Sequence, residues 1–185
     1  IKMSKLDLII KNADIATATE SFIGDIGIQN GRIAVLGDLG SNAAQIIDAE
    51  QKLVTPGGVD AHCHLDQPMT DGSTMADDFA TGTVSAACGG TTTAIPFAMQ
   101  MKGQSLRAAL DDYHQRAHEK PVIDYAFHLI ISDPTPDVLN RELPELIREG
   151  YTHFKIYMTY DDLKLNDREI LDLLALARRE GALPM

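Results

Sequence analysis

The chain has 185 residues, enough for one domain or for a small domain with part of a larger one. Its 44% hydrophobic and 23% charged residues are ordinary for a globular protein. A net charge of -11, spread along the chain, weighs against a nucleic-acid or anionic-membrane partner, either of which needs a basic footprint. Two cysteines, Cys63 and Cys88, make no disulfide framework and fit a reducing, cytoplasmic compartment. No signal peptide and no run apolar enough to span a bilayer is expected.

Ile1-Lys2 precede Met3-Ser4, so Met3 is read as the native start and the first two residues as an added remnant. Residues 1–54 read as a small antiparallel β module, the N-terminal part of a β-sandwich. Strand-like runs are Leu6–Ile10, Ile15–Thr19, Ile26–Ile28 and Arg32–Leu36. Asn30-Gly31 between the last two predicts a hairpin. Glycines 24, 27, 31, 37 and 40 are followed by no helical pattern, so turns are expected there rather than a phosphate loop.

Residues 55–185 change rhythm. A strand over 53–61 leads to a helix over about 75–88, closed by Gly89-Gly90. Thr91–Ile95 is β-rich, and Ser105 caps a helix to about His118. Val122–Ile131 is the next strand. Thr135-Pro136 reads as an N-cap and first-turn pair for a helix ending near Gly150. His153–Met158 is a strand. Asn166 with Glu169 forms a capping box for a helix whose apolar face is Ile170, Leu173, Leu174 and Ala177, ended by Gly181. Strands alternating with helices imply a parallel sheet with crossover helices. The expectation is an α/β fold: four βα units and the start of a fifth, the first half of a (β/α)8 TIM-type barrel. Fewer residues follow Val54 than the about 250 of a whole barrel.

Two segments carry chemistry. In Asp60-Ala61-His62-Cys63-His64, strand alternation puts His62 and His64 on one face with Asp60 behind them, half of a zinc-type site. Cys63 then points away and packs. About ninety residues later, Lys155 stands in the apolar run Tyr151–Met158. Burial favours a neutral amine, which can take up carbon dioxide to give a carbamate able to bridge two cations. The plainer reading is a strand-end lysine reaching water. His114 and His118, four apart on a helix with no acid in the metalloprotease pattern, are expected at a solvated surface. His128 is expected as a hydrogen-bonded core histidine.

Together these segments resemble the amidohydrolase superfamily, and within it the hydantoinase/dihydropyrimidinase family. The resemblance runs through Gly57–Pro68, Asp77-Asp78-Phe79, Thr81-Gly82-Thr83, Gly89–Thr93 and Phe154–Tyr160. It implies that His62 and His64 bind the more buried of two divalent cations, usually zinc. It implies that Lys155 is carboxylated and bridges both, and that Tyr160 binds the substrate carbonyl and its developing oxyanion. Asp60 stays in support. The family's two further histidines and its catalytic aspartate come from later strands. These 185 residues alone are therefore not expected to hold a complete binuclear site. The implied activity is hydrolysis of a small cyclic amide by a homotetramer. Ile95-Pro96-Phe97 departs from the family, where an acid often stands at the position of Pro96.

Dihydroorotases of the superfamily carry arginine two residues after the second histidine. Here that residue is Asp66, expected to repel an anionic substrate. Allantoinases usually lack the Met158-x-Tyr160 ending. Both points favour a neutral ring, a hydantoin or a dihydropyrimidine. An allantoinase or dihydroorotase type of enzyme, or a non-catalytic dihydropyrimidinase-like scaffold, is the alternative.

Overall fold

The computed structural model describes residues 5–69 and 72–185, so the expected start at Met3 lies outside the described residues. The chain divides into two compact units at the Pro56/Gly57 boundary. Among the described residues no helix is long and apolar enough to cross a membrane.

The first unit is one mixed sheet of β1 (Leu6–Ala16), β2 (Ser21–Gln29), β3 (Arg32–Gly37), β4 (Ala43–Asp48) and β5 (Leu53–Val54). β1, β2 and β3 pair antiparallel, whereas β4 and β5 join β1 in parallel, a pairing the strand pattern does not reveal. The predicted runs at 6–10 and 15–19 are largely one strand. Asn12, at φ 54°, makes a bulge between Ile10 and Ala13 instead of a turn. The bulge is held by the buried Asp25, whose Oδ1 accepts the Asn12 N–H at 2.9 Å and whose Oδ2 accepts the Leu39 N–H at 3.0 Å. Asn30 and Gly31 have φ of 52° and 70°, as the tight hairpin between β2 and β3 requires.

The second unit is a sheet in the order β11-β10-β9-β7-β6, with parallel neighbours throughout. Its strands are β6 (Gly58–Cys63), β7 (Thr91–Met99), β8 (Asp124–Tyr125, on β7), β9 (His128–Ile130), β10 (His153–Lys155) and β11 (Leu183–Pro184). The crossovers carry α1 (Phe79–Cys88), α2 (Leu106–Ala117), α3 (Leu143–Arg148) and α4 (Asp167–Glu180). Phe79, Phe97, Leu110, Ile130, Leu146, Phe154 and Leu173 belong to its core.

Several boundaries differ from the sequence reading. The predicted strand over 53–61 is two strands in two sheets, interrupted at Pro56. α1 starts four residues late, because Asp78 and Thr81 form a capping box. The strand over 122–131 breaks into β8 and β9. The helix after Thr135 opens where expected, with the Val138 N–H on Thr135 Oγ1 at 3.3 Å and the Leu139 N–H on Thr135 O at 2.9 Å, and then widens into a π-helical stretch, Val138–Glu142. There the Leu143 N–H reaches Val138 O, one residue beyond the α-helical partner. Pro144 has no N–H for the regular ladder, which accounts for the slip. β10 covers only His153–Lys155, although the Ile156 N–H still bonds Met185 O in continuation of the pairing with β11. On α4 the Asn166–Glu169 box and the left-handed Gly181 cap are present. Its buried face holds Leu176 in place of Leu174, which is 41% exposed.

Gly82 of α1 admits the loop after β6. A Cβ there would stand 2.4 Å from Leu65 Cδ2, so Leu65 packs into α1 only against glycine. That contact seats the residue between His64 and Asp66.

Candidate metal centre

His62 and His64 stand at the C-terminal end of β6, and Lys155 at the same end of β10. Regular alternation does not bring them there. The β6–β7 register shifts between Asp60 and Cys63, and the Asp60 carboxylate accepts the His62 backbone N–H at 3.0 Å. Asp60 thus braces the strand of His62 rather than its ring. A bulge of this kind re-aims side chains beside functional sites.

The floor is Phe97 of β7, 1% exposed. The His62 ring meets it edge-on with centroids 4.9 Å apart, and the His64 ring stacks on it at 5.1 Å. Lys155 Nζ stands 4.7 Å from the same ring centre and 5.1 Å from that of Tyr157. The centroids of His62 and His64 are 5.7 Å apart. Two imidazoles sharing one tetrahedral cation, with nitrogens about 2.0–2.1 Å from it, hold their centroids roughly 5 Å apart. The observed pair is close to that separation, so these residues fit a shared cation. Among the described residues, Lys155 has no carboxylate partner. No three His, Cys, Asp or Glu side chains converge on a metal-sized position there.

The site opens on a pocket of about 320 Å³ lined by His64, Gln67, Met69, Met75, Lys155, Tyr157, Tyr160 and Leu163. Tyr160 is 69% exposed and sits at φ 67°, a left-handed conformation costly for a residue with a Cβ. The turn holds it there: Tyr160 O accepts the N–H groups of Leu163 and Lys164.

His128 is buried, 5.2 Å from the Phe97 ring, and its Nε2 donates to Ala61 O at 3.1 Å. Burial holds its imidazole below the usual histidine value, against the effect of that hydrogen bond. Burial, with the Asp60 charge adding, pushes the Cys63 thiol up to about 11, which disfavours the reactive thiolate in this half-buried side chain.

Two expectations need correction. His114 is not at a solvated surface. Its Nε2 bonds Tyr151 Oη at 2.8 Å and its ring lies edge-on to Phe127 at 4.9 Å, while His118 is exposed. Asp66 does not line the pocket. Its carboxylate lies 3.7 Å from Arg116 Nη1 and 3.5 Å from Lys120 Nζ, so two cations on the α2 side offset its charge. Sequence reasoning missed Phe97, Tyr157 and Gln67. Their signals were an aromatic at the exit of a central strand, a tyrosine two residues past the lysine, and a glutamine three past the second histidine.

Fold and site define a class: the Amidohydrolase family matches residues 53–183, and the chain belongs to it. Within it the relatives are D-hydantoinases and dihydropyrimidinases. The chain is 47% identical over 180 residues to the D-hydantoinase of Geobacillus stearothermophilus, covering 96% of this chain and 38% of that protein. It is 41% identical to the D-hydantoinase of Rhizobium radiobacter over 97% of this chain and 39% of that protein. A solved D-hydantoinase structure superposes with TM-score 0.93 at 40% identity, covering 97% of this chain and 39% of the other. The dihydropyrimidinase of Brevibacillus agri NCHU1002 superposes with TM-score 0.90 at 38% identity, covering 95% and 38%. The chain therefore spans well under half the length of the relatives it matches.

Proposed function

We propose that the chain is the N-terminal part of a metal-dependent hydrolase that opens the ring amide of 5-substituted hydantoins or dihydropyrimidines. In this reading the parallel sheet is the first half of a (β/α)8 barrel and the preceding sheet belongs to a β-sandwich. The observation that carries it is the meeting of His62, His64 and Lys155 around Phe97, at the strand ends where barrel enzymes place their chemistry. Two divalent cations, zinc the expected metal, would polarise the amide carbonyl and make water nucleophilic at neutral pH. His62 and His64 would offer neutral nitrogens, and Lys155, as its carbamate, two oxygens. The aromatic faces under Nζ suit an ammonium, so a carbamate there needs cations in its place. Tyr160 Oη, free to reach into the pocket, would donate to the carbonyl oxygen as charge develops on it. The pocket lining carries no carboxylate among the described residues, in keeping with a neutral ring and with a proton acceptor supplied from elsewhere. Cys63 and Cys88, both free thiols, support a reducing, cytoplasmic setting, and the resemblance extends to a homotetramer.

The test is turnover of a 5-substituted hydantoin and of dihydrouracil by the zinc-loaded full-length protein of which, in this reading, the chain is the N-terminal part, read as the carbamoyl product. Replacing Tyr160 by Phe should lower kcat by about 10²–10³-fold, the usual cost of one oxyanion donor. Its circular dichroism should not change, because the side chain is exposed. No turnover of either ring would overturn the reading, and an unchanged kcat in Tyr160→Phe would remove Tyr160 from it.

A further inference from the structure

We infer that Gln67 is a positioning residue for His64, fixing the tautomer in which Nδ1 carries the proton and Nε2 is left as the ligating lone pair. The inference rests on the metal-site reading above and deepens it. His64 Nδ1 lies 2.5 Å from Gln67 Oε1, and Gln67 Nε2 lies 3.8 Å from Met99 Sδ. The two contacts decide each other. A thioether sulfur has no proton and only accepts, so the amide face toward Met99 must be the NH2. The amide oxygen then faces the imidazole, and an amide oxygen also only accepts, so Nδ1 must donate. Met99, at the end of β7 and buried, sets the amide, and the amide sets the ring. The ring's other restraint, stacking on Phe97, fixes its plane but not its tautomer. Partners of this kind on the far nitrogen of a ligating histidine are worth roughly 10–100-fold in metal affinity.

The experiment compares the metal-free full chain with its Gln67→Met and Gln67→Glu variants, labelled with 15N-histidine, with His64 assigned through a His64→Asn variant. In the parent, long-range 1H–15N correlations should show the His64 proton on Nδ1. Gln67→Met, which keeps volume but exchanges the strong amide-oxygen acceptor for a weak thioether one, should shift it toward Nε2. It should also weaken zinc by about 10-fold in competition with a chromophoric chelator. Gln67→Glu keeps an acceptor and should hold both tautomer and affinity. A proton on Nε2 in the parent overturns the inference. So does an unchanged affinity in Gln67→Met, and so does an equal loss in both variants, which would mean packing alone. Expected results in both readouts without ring hydrolysis would count against the hydrolase reading and leave the role of Gln67 standing.

Discussion

Replacing Phe97 by Leu tests whether one ring organises the site. Phe97 contacts the rings of His62, His64 and His128 at 4.9, 5.1 and 5.2 Å, and Lys155 Nζ stands over it. Ring pairs contribute about 0.5–1.5 kcal/mol each beyond burial. His62 is exposed and His64 only half-buried, so the low end applies to them, and the three together come to about 1.5–2 kcal/mol. Leucine is smaller by roughly 25 Å³, which at about 24 cal/mol per Å³ of cavity adds about 0.6 kcal/mol. The expected destabilisation is about 2–3 kcal/mol, a substantial fraction of the 5–15 kcal/mol typical of a domain. Urea unfolding followed by circular dichroism measures it, since these residues include no tryptophan. Zinc affinity of the folded variant should fall as well, because His62, His64 and Lys155 lose their common surface. A loss below about 1 kcal/mol, or full stability loss with unchanged zinc affinity, would refute the idea that this ring arranges the ligands.

Two other outcomes follow from the same physics. Burial pushes the Asp25 carboxyl up, but the N–H groups of Leu39 and Asn12 and the Lys11 ammonium outweigh it, and the net shift is downward. A depressed folded value means that the stabilisation is fully present above the unfolded value of about 4 and is lost as pH falls through the folded one. Asp25→Asn sets an amide N–H against a buried backbone N–H, should cost about 2–4 kcal/mol at pH 7, and should flatten the acid limb of a stability-versus-pH curve. An acid limb identical to the parent's would contradict this. At pH 8 iodoacetamide should label the exposed Cys88 at least about 10-fold faster than Cys63, whose thiol is held protonated. Equal rates by mass spectrometry would contradict the suppressed thiolate of Cys63.

Periodicity and caps were legible because they are local. The Asn166–Glu169 box, the Ser105 cap and the Asn30-Gly31 turn each involve neighbours in sequence, and each is present. What was not legible depends on distant partners. The parallel seating of β4 on β1 and the pairing of His114 with Tyr151 are set by residues tens of positions away. The convergence of His62, His64 and Lys155 was legible only through the family resemblance. The ring they share, Phe97, is marked in the sequence only as an aromatic near the end of a strand, which does not say what packs on it.

Asp66 shows how a charge read from sequence can mislead about substrate. Two residues past His64, a carboxylate looks like a device against anions. Its backbone sits at φ 49°, and with Leu65 lodged against Gly82 the turn carries the side chain toward α2. There Arg116 and Lys120 partner it, and Arg116 Nη1 also donates to Asp66 O at 3.4 Å. The arrangement ties the loop that holds His64 to a helix of the rigid sheet, so Asp66 bears on site geometry rather than on substrate charge. The case for a neutral ring therefore rests on two other facts. The position carries no arginine that could hold a carboxylate, and among the described residues the one lysine or arginine lining the pocket, Lys155, is the residue that carbamate formation would turn into an anion.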